Sequence, residues 1–182
     1  MSITVVVVYE SMFGSTRQIA ESIASGMGDA KVLVTCVGEA GSDFDDVDLL
    51  IAGAPTHAHS LSRPQTRQQA AAWALDPKLH LTLEPRAGGI GVREWLKGLS
   101  RAPNFIAAFD TRADVPEIFS GAAGRKIERT LKKLGGEAVS EHTSYLVDKA
   151  SQLIPGQREL ARQWGAELSR RVRQQVDPVH AS

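Results

Sequence analysis

The part of this sequence that decides its fold lies near the beginning, where an apolar run changes into a polar loop and then into a helical pattern. It reads Val7-Val8-Tyr9-Glu10-Ser11-Met12-Phe13-Gly14-Ser15-Thr16-Arg17-Gln18-Ile19-Ala20. The run that enters it, Ile3 to Tyr9, is almost all β-branched, which is typical of a strand buried on both faces of a parallel sheet. After the loop, Ile19, Ile23 and Met27 recur every four residues and predict one apolar face of a helix. The segment therefore predicts a strand, a loop and a helix in succession.

The loop between this strand and this helix is rich in hydroxyl groups. A phosphate monoester is doubly charged near neutral pH, and the unpaired amides and dipole of a helix N-terminus suit it. Hydroxyl side chains add donors, and a glycine lets backbone amides approach closely. A helix cap without a ligand explains one hydroxyl, but three hydroxyls and a glycine directly after a buried strand favour a phosphate site. We assign to this site Ser11, Met12, Phe13, Gly14, Ser15 and Thr16.

The same loop also indicates which phosphate it suits. The proposed donors are backbone amides and hydroxyls, so no lysine is required. That fits a monophosphate better than a triphosphate. Neither the Walker A pattern nor GxGxxG is present.

The remainder of the chain alternates between strand and helix patterns. Further strands are predicted within residues 31–37, 46–53, 104–109 and 138–147. Five strands alternating with helices predict one α/β domain with a parallel sheet and helices on both faces. We expect this domain to span residues 1–175, with a flexible C-terminal tail over 176–182. Residues 76–90, which contain two prolines and two glycines, are expected to form a loop excursion.

Composition excludes several classes of function. The 182 residues include 21 Lys+Arg and 21 Asp+Glu, a balance that gives no indication of a nucleic-acid or membrane partner. One cysteine, Cys36, allows neither an intrachain disulfide nor a cysteine-based metal cluster. The first nine residues lack a basic leader and a cleavage site, and no apolar stretch is long enough to cross a bilayer. We therefore expect a cytoplasmic protein.

The first loop and its flanks resemble the N-terminal signature of the flavodoxin family. In that signature an aromatic residue closes the strand, and hydroxyl and small residues precede a threonine and a helix. The matching residues here are Tyr9, Ser11, Gly14, Thr16, Ala20 and Ile23. The resemblance implies a flavodoxin-like, doubly wound sheet of five parallel strands in the order 2-1-3-4-5. It also implies flavin mononucleotide (FMN) as the cofactor.

A second loop, Gly53 to His59, is similar to the family's second flavin loop. The resemblance places His57 where many flavodoxins stack an aromatic ring on the isoalloxazine. Ala58 then occupies the position whose peptide can flip toward the flavin N5, and a residue other than Gly should make that flip harder. As an alternative, both histidines are solvated loop side chains, and metal binding lacks a further ligand nearby. The cofactor-binding residues expected from this loop are Pro55, Thr56, His57, Ala58 and His59.

A third loop is expected after the fourth strand, and it resembles the family segment that cradles the pyrimidine side of the ring. Thr111 is a candidate donor to the ring carbonyls. Arg112 is a candidate counter-charge for a reduced flavin or, alternatively, a solvated surface residue. The family's usual tyrosine is missing, since Val115-Pro116 occupies its stretch. The residues assigned to this loop are Phe109, Asp110, Thr111 and Arg112.

Three functions are compatible with this sequence. The resemblance implies an electron-transfer flavoprotein that works with a reductase and an electron acceptor. An FMN-dependent quinone or protoporphyrinogen oxidoreductase, acting on a small quinone-like substrate, is the alternative. A flavodoxin-like module that has lost flavin and binds a partner is the third. No acid/base pair, nucleophile or metal-ligand set is apparent, so we assign no catalytic side chains and no metal ligands.

Overall fold

A computed structural model describes residues 2–176, and its centre is a parallel sheet. The first four strands are β1 (Thr4–Tyr9), β2 (Lys31–Cys36), β3 (Leu49–Pro55) and β4 (Phe105–Ala113), in the order β2-β1-β3-β4. Two short strands, β5 (Glu137–Ala138) and β6 (Thr143–Val147), pair in succession with the outer edge of β4. Together they fill the fifth position of the sheet. The predicted order is confirmed, with the fifth strand interrupted.

Helices cover both faces of this sheet, as predicted. They are α1 (Ser15–Ser25), α2 (Pro64–Ala74), α3 (Val92–Gly98), α4 (Glu117–Ser120), α5 (Ala123–Lys133) and α6 (Gln157–Val176), with a 3-10 turn at Pro77–Leu79. Val5 and Val7 face the layer that contains α1 and α6, whereas Val6 and Val8 face the layer of α3 and α5. Both faces of β1 are buried, and for this reason its apolar run is continuous.

The fourth strand is longer than the sequence pattern predicted. It runs to Ala113 because β6 pairs with its second half, from Phe109 opposite Thr143 to Ala113 opposite Val147. The segment that was expected to be the third loop is thus mostly strand. Because successive side chains of a strand point to opposite faces of the sheet, the side chains of residues 109–112 do not all face the same side.

The long excursion after α2 folds back over the first loop. The Glu84 amide donates to the Met12 carbonyl at 2.8 Å, and Met12 packs with Ala70 and Ala87. The excursion thus fixes the first loop from outside the sheet.

The C-terminal end of the described chain is helical. Val176 is the last residue of α6, and residues 177–182 of the predicted tail lie outside the described residues. Within residues 2–176, no helix combines the length and the hydropathy that a membrane span needs.

Candidate functional site

All three predicted loops contribute to one cavity of about 420 Å³ at the carboxyl ends of the strands. This is where ligands bind in open parallel sheets. The predicted residues that line it are Met12, Phe13, Ser15, Thr16, Pro55, Thr56, His57, Ala58, Thr111 and Arg112. Five other predicted residues do not line it, namely Ser11, Gly14, His59, Phe109 and Asp110.

The first loop presents a helix N-terminus to this cavity. Gly14 precedes α1 with a φ of 95°, a left-handed conformation that favours glycine. The first helical hydrogen bond runs from the Gln18 amide to the Gly14 carbonyl at 3.0 Å. The amides of residues 15–17 therefore have no carbonyl partner within the helix and are placed to bind an anion.

The three hydroxyls of this loop have different partners. Ser11 Oγ accepts the Gly14 amide at 3.1 Å, which leaves its own hydrogen for a ligand. Thr16 Oγ1 and Thr111 Oγ1 are 2.8 Å apart, so this pair retains one hydrogen. Ser15 Oγ donates to the Ser151 carbonyl at 2.6 Å, and its hydrogen is already used. Of the three predicted hydroxyl donors, only Thr16, through its pair with Thr111, both lines the cavity and has a hydrogen left for a phosphate.

The second loop is a tight two-residue turn. The His57 amide donates to the Ser60 carbonyl at 2.7 Å, and the Ser60 amide returns a bond to the His57 carbonyl at 3.0 Å. Ala58 and His59 lie between them with φ of 44° and 71°, a conformation that turns of this kind usually reserve for Gly, Asn or Asp. The backbone at Ala58 therefore carries strain.

The two histidines of this turn have different environments. His57 lines the cavity, and burial together with the nearby charge of Arg67 lowers its pKa, which favours the neutral imidazole. His59 instead contacts Gly121, where a Cβ would overlap the His59 backbone. The chain after α4 thus supports the turn from behind, and His59 belongs to that support.

Phe109 and Asp110 were expected to contact the flavin ring, but β4 directs both away from the cavity. The ring of Phe109 is fully buried beside Gly53 and Tyr145. Asp110 is also fully buried, and its Oδ2 accepts the Gly124 amide at the start of α5 at 2.7 Å. Both residues therefore hold the sheet and α5 together beneath the site.

Thr111 and Arg112, the next residues of β4, do reach the cavity. Thr111 bonds to Thr16 and so joins the first loop to β4. The Arg112 guanidinium donates to the Val115 carbonyl at 2.6 Å and to Ser120 Oγ at 3.3 Å. These bonds hold its charge at the rim of the cavity, where the side chain is part exposed.

Two further parts of the wall were not predicted. One is a face of α2 and the other is the end of β4 with the loop after β6; their residues are Thr66, Gln69, Ala70, Trp73, Ala113, Val147, Asp148, Lys149 and Ser151. The first part could have been recognised in the sequence, because the lining residues of α2 recur every three or four residues and therefore share one face of the helix. The second part could have been recognised because the loop after the fifth strand lies at the carboxyl ends of the strands, where ligands bind.

A buried ionic cluster holds α2 beside the cavity. Arg67 is 5% exposed; its Nη1 donates to Ser62 Oγ at 2.8 Å, and its Nη2 lies 3.1 Å from Glu94 Oε2. Glu10 is equally buried, and its Oε2 accepts the Val92 amide at 2.8 Å. Burial raises the pKa of Glu10. The cluster connects the end of β1 with α2 and α3.

The buried Asp110 predicts a pH-dependent stability. Burial raises its pKa to about 6, although the Gly124 bond opposes the shift. Between about pH 4 and pH 6 the folded state then binds more protons than the unfolded state, so the free energy of unfolding falls as pH rises, by about 3 kcal/mol. We expect Asp110→Asn to abolish this part of the dependence, measured by urea unfolding from pH 4 to pH 7.5. The exposed Asp43→Asn is the control, and Asp110→Asn curves parallel to the wild type would contradict the assignment.

A model of a known protein family matches only the N-terminal part of this chain. Residues 6–68 match the model of the flavodoxin domain family. No curated protein matches the chain.

Solved structures with the same fold cover nearly the whole chain. A flavodoxin from the domain Archaea has a TM-score of 0.61 at 14% identity, covering 94% of this chain and 99% of its own. A WrbA-like flavodoxin from Agrobacterium tumefaciens has 0.61 at 20% identity, covering 95% and 99%. Oxidised flavodoxin 1 from Bacillus cereus has 0.62 at 18% identity, covering 92% and 97%. These likenesses show the fold.

The family match and the shared fold support a flavin-type redox protein. The match contains the first loop, most of β1 and all of β3. The flavodoxin domain match over residues 6–68 and the flavodoxin-like fold of the described chain support a relationship to the flavodoxin family.

Proposed function

We propose that this protein binds FMN and transfers electrons between a reductase and an acceptor. The observation that carries this proposal is the convergence of three loops on one cavity with the open N-terminus of α1 at one end. FMN supplies the chemistry by accepting and donating one or two electrons. The chain's own residues bind the cofactor, orient it and set its surroundings.

The residues present suit the phosphate end of FMN. The amides of residues 15–17 and the Thr16–Thr111 hydroxyl pair supply donors, and Ser11 Oγ orders the loop by accepting the Gly14 amide. The other end of the cavity is lined by His57, with its lowered pKa, and by Arg112 at the rim. A neutral imidazole suits contact with a flat ring, and the guanidinium suits a negative charge that develops on a reduced flavin.

Removing the phosphate donors tests this proposal. We expect the double variant Ser11→Ala/Thr16→Ala to bind FMN more weakly by about 1.5–3 kcal/mol, because Thr16 loses a bond to the charged phosphate and Ser11 no longer holds the Gly14 amide, with riboflavin affinity nearly unchanged. Fluorescence titration of the apoprotein with both flavins measures the difference.

Thr16→Ser, which keeps the hydroxyl, is the matched control and should retain most of the FMN affinity. Equal weakening of FMN and riboflavin would show that these hydroxyls do not hold the phosphate. A wild-type protein that is colourless and cannot be reconstituted with FMN would overturn the proposal and favour the partner-binding alternative.

The α2 wall favours a second candidate, an FMN-dependent oxidoreductase that acts directly on a small quinone-like molecule. Trp73 is 50% exposed although it lines the cavity, and Gln69 beside it is also exposed. An open aromatic face with a neighbouring carboxamide suits a flat ring that carries oxygen acceptors. Steady quinone turnover with NAD(P)H by the purified protein alone supports the enzyme, whereas dependence on a separate reductase supports the carrier.

A further inference from the structure

We propose that Lys149 is a direct ligand of the FMN phosphate, so that the phosphate is held between the first loop and the loop after β6. This inference rests on the proposed function and adds a charged residue to a site whose predicted donors are all neutral. Lys149 is exposed and lines the same cavity as Ser15 and Thr16.

The hydrogen bond between Ser15 and Ser151 carries the first step. Ser15 Oγ donates to the Ser151 carbonyl at 2.6 Å, across 136 residues of sequence. Because Ser15 is the first residue of α1, this bond fixes the loop after β6 against the helix end that would receive the phosphate. Ser15 thus loses its hydroxyl as a phosphate donor but holds Lys149 close to the same place.

The loop that carries Lys149 is ordered by Asp148. Asp148 Oδ1 accepts the amides of Ala150 at 2.8 Å and Gln152 at 2.9 Å, and the Asp148 amide donates to the Gln152 carbonyl. Ser151 completes the turn with a φ of 59°. The backbone on either side of Lys149 is therefore preorganised, and only the side chain must settle when a ligand binds.

The basic residue of α1 itself is not available as a counter-charge. Arg17 pairs with Glu84 at 3.1 Å and with Glu21 at 2.9 Å. Glu84 also lies next to the loop, since a Cβ at Gly14 would be 3.0 Å from its Oε1. A phosphate dianion at the N-terminus of α1 therefore has the Glu84 carboxylate near it, and the guanidinium that pairs with Glu84 is shared with Glu21.

Lys149, in contrast, has a free charge. None of the ion pairs within residues 2–176 involves it. Lys149 lines the same cavity as Ser15, so its ammonium group can donate to the oxygens of a phosphate bound there and offset the charge of Glu84. The distinguishing consequence is that FMN affinity should depend on ionic strength through this one residue.

The experiment compares FMN and riboflavin affinities of the apoprotein in 20 mM and 300 mM NaCl. We expect Lys149→Met to weaken FMN binding about tenfold at low salt, to leave riboflavin binding within twofold, and to remove most of the salt dependence. Lys149→Arg should restore FMN affinity to within about threefold. Lys97→Met, an exposed lysine of α3 that does not line the cavity, is the matched control and should change neither affinity.

A double-mutant cycle with Ser15→Ala tests the positioning argument. We expect Ser15→Ala to weaken FMN binding in the wild type and to have a smaller effect when Lys149 is already Met, because both changes remove the same contact. An FMN affinity unchanged in Lys149→Met, or lost equally for riboflavin, would overturn this inference while leaving the FMN proposal standing. Failure of the wild type to bind FMN would overturn both.

Discussion

Arg67→Met will lower the free energy of unfolding by about 3–5 kcal/mol at pH 7, the cost expected when one partner of a buried ion pair is removed. Arg67 is buried between Ser62 and Glu94, and Glu10 lies in the same cluster. The methionine side chain fills a similar volume but leaves the buried Glu10 and the part-exposed Glu94 without their positive neighbour. Urea unfolding followed by circular dichroism measures the loss.

The pH dependence of this loss identifies its cause. If unpaired carboxylates are responsible, protonating them removes the penalty, so the difference between wild type and Arg67→Met should shrink toward pH 5. The raised pKa of Glu10 places this effect above the usual range of a carboxyl group. Adding Glu10→Gln to Arg67→Met should recover part of the stability at pH 7.

An exposed ion pair provides the matched control. Arg101 and Asp45 form a pair in which both side chains are more than half exposed. We expect Arg101→Met to cost less than about 1 kcal/mol. An Arg67→Met variant as stable as Arg101→Met would show that the buried cluster does not hold α2.

Local sequence was sufficient to predict the first loop and the class of fold. The apolar run from Ile3 to Tyr9 indicates a strand that is buried on both faces. Beyond Ser15, the apolar residues recur at the spacing of a helix. Both signals depend on neighbours in the chain. For this reason β1 and α1 lie where the pattern predicted them.

The other parts of the site depend on pairing between distant residues. Phe109 and Asp110 were assigned to a loop because the apolar run ends there, but β6 extends β4, and the two side chains are buried on opposite faces of the sheet beneath the cavity. The role of Ser15 changed for a similar reason, since its partner, Ser151, is remote in sequence. No local pattern contains these contacts.

Gly53→Ala is expected to destabilise the protein by about 3 kcal/mol or more, because the position has no room for a methyl group. A Cβ at Gly53 would overlap three ring atoms of Phe109. That ring is fully buried and packs edge to face on Tyr145, so it cannot move without disturbing the core. Overpacking of this kind usually costs about 1–3 kcal/mol, and more where the neighbours are rigid.

A smaller side chain at position 109 should relieve this overlap. Phe109→Leu alone destabilises by leaving a cavity, but in combination with Gly53→Ala it makes room for the new methyl. We expect the double variant to be more stable than the sum of the two single effects by about 1–3 kcal/mol, as measured by a double-mutant cycle in urea.

Gly98→Ala, where a Cβ would meet nothing within 4 Å, is the control and should cost little. Additive effects of the two substitutions would contradict the contact. A positive coupling would establish that Phe109, expected from its sequence position to touch the flavin ring, instead fills the space beside Gly53 and supports the floor of the site.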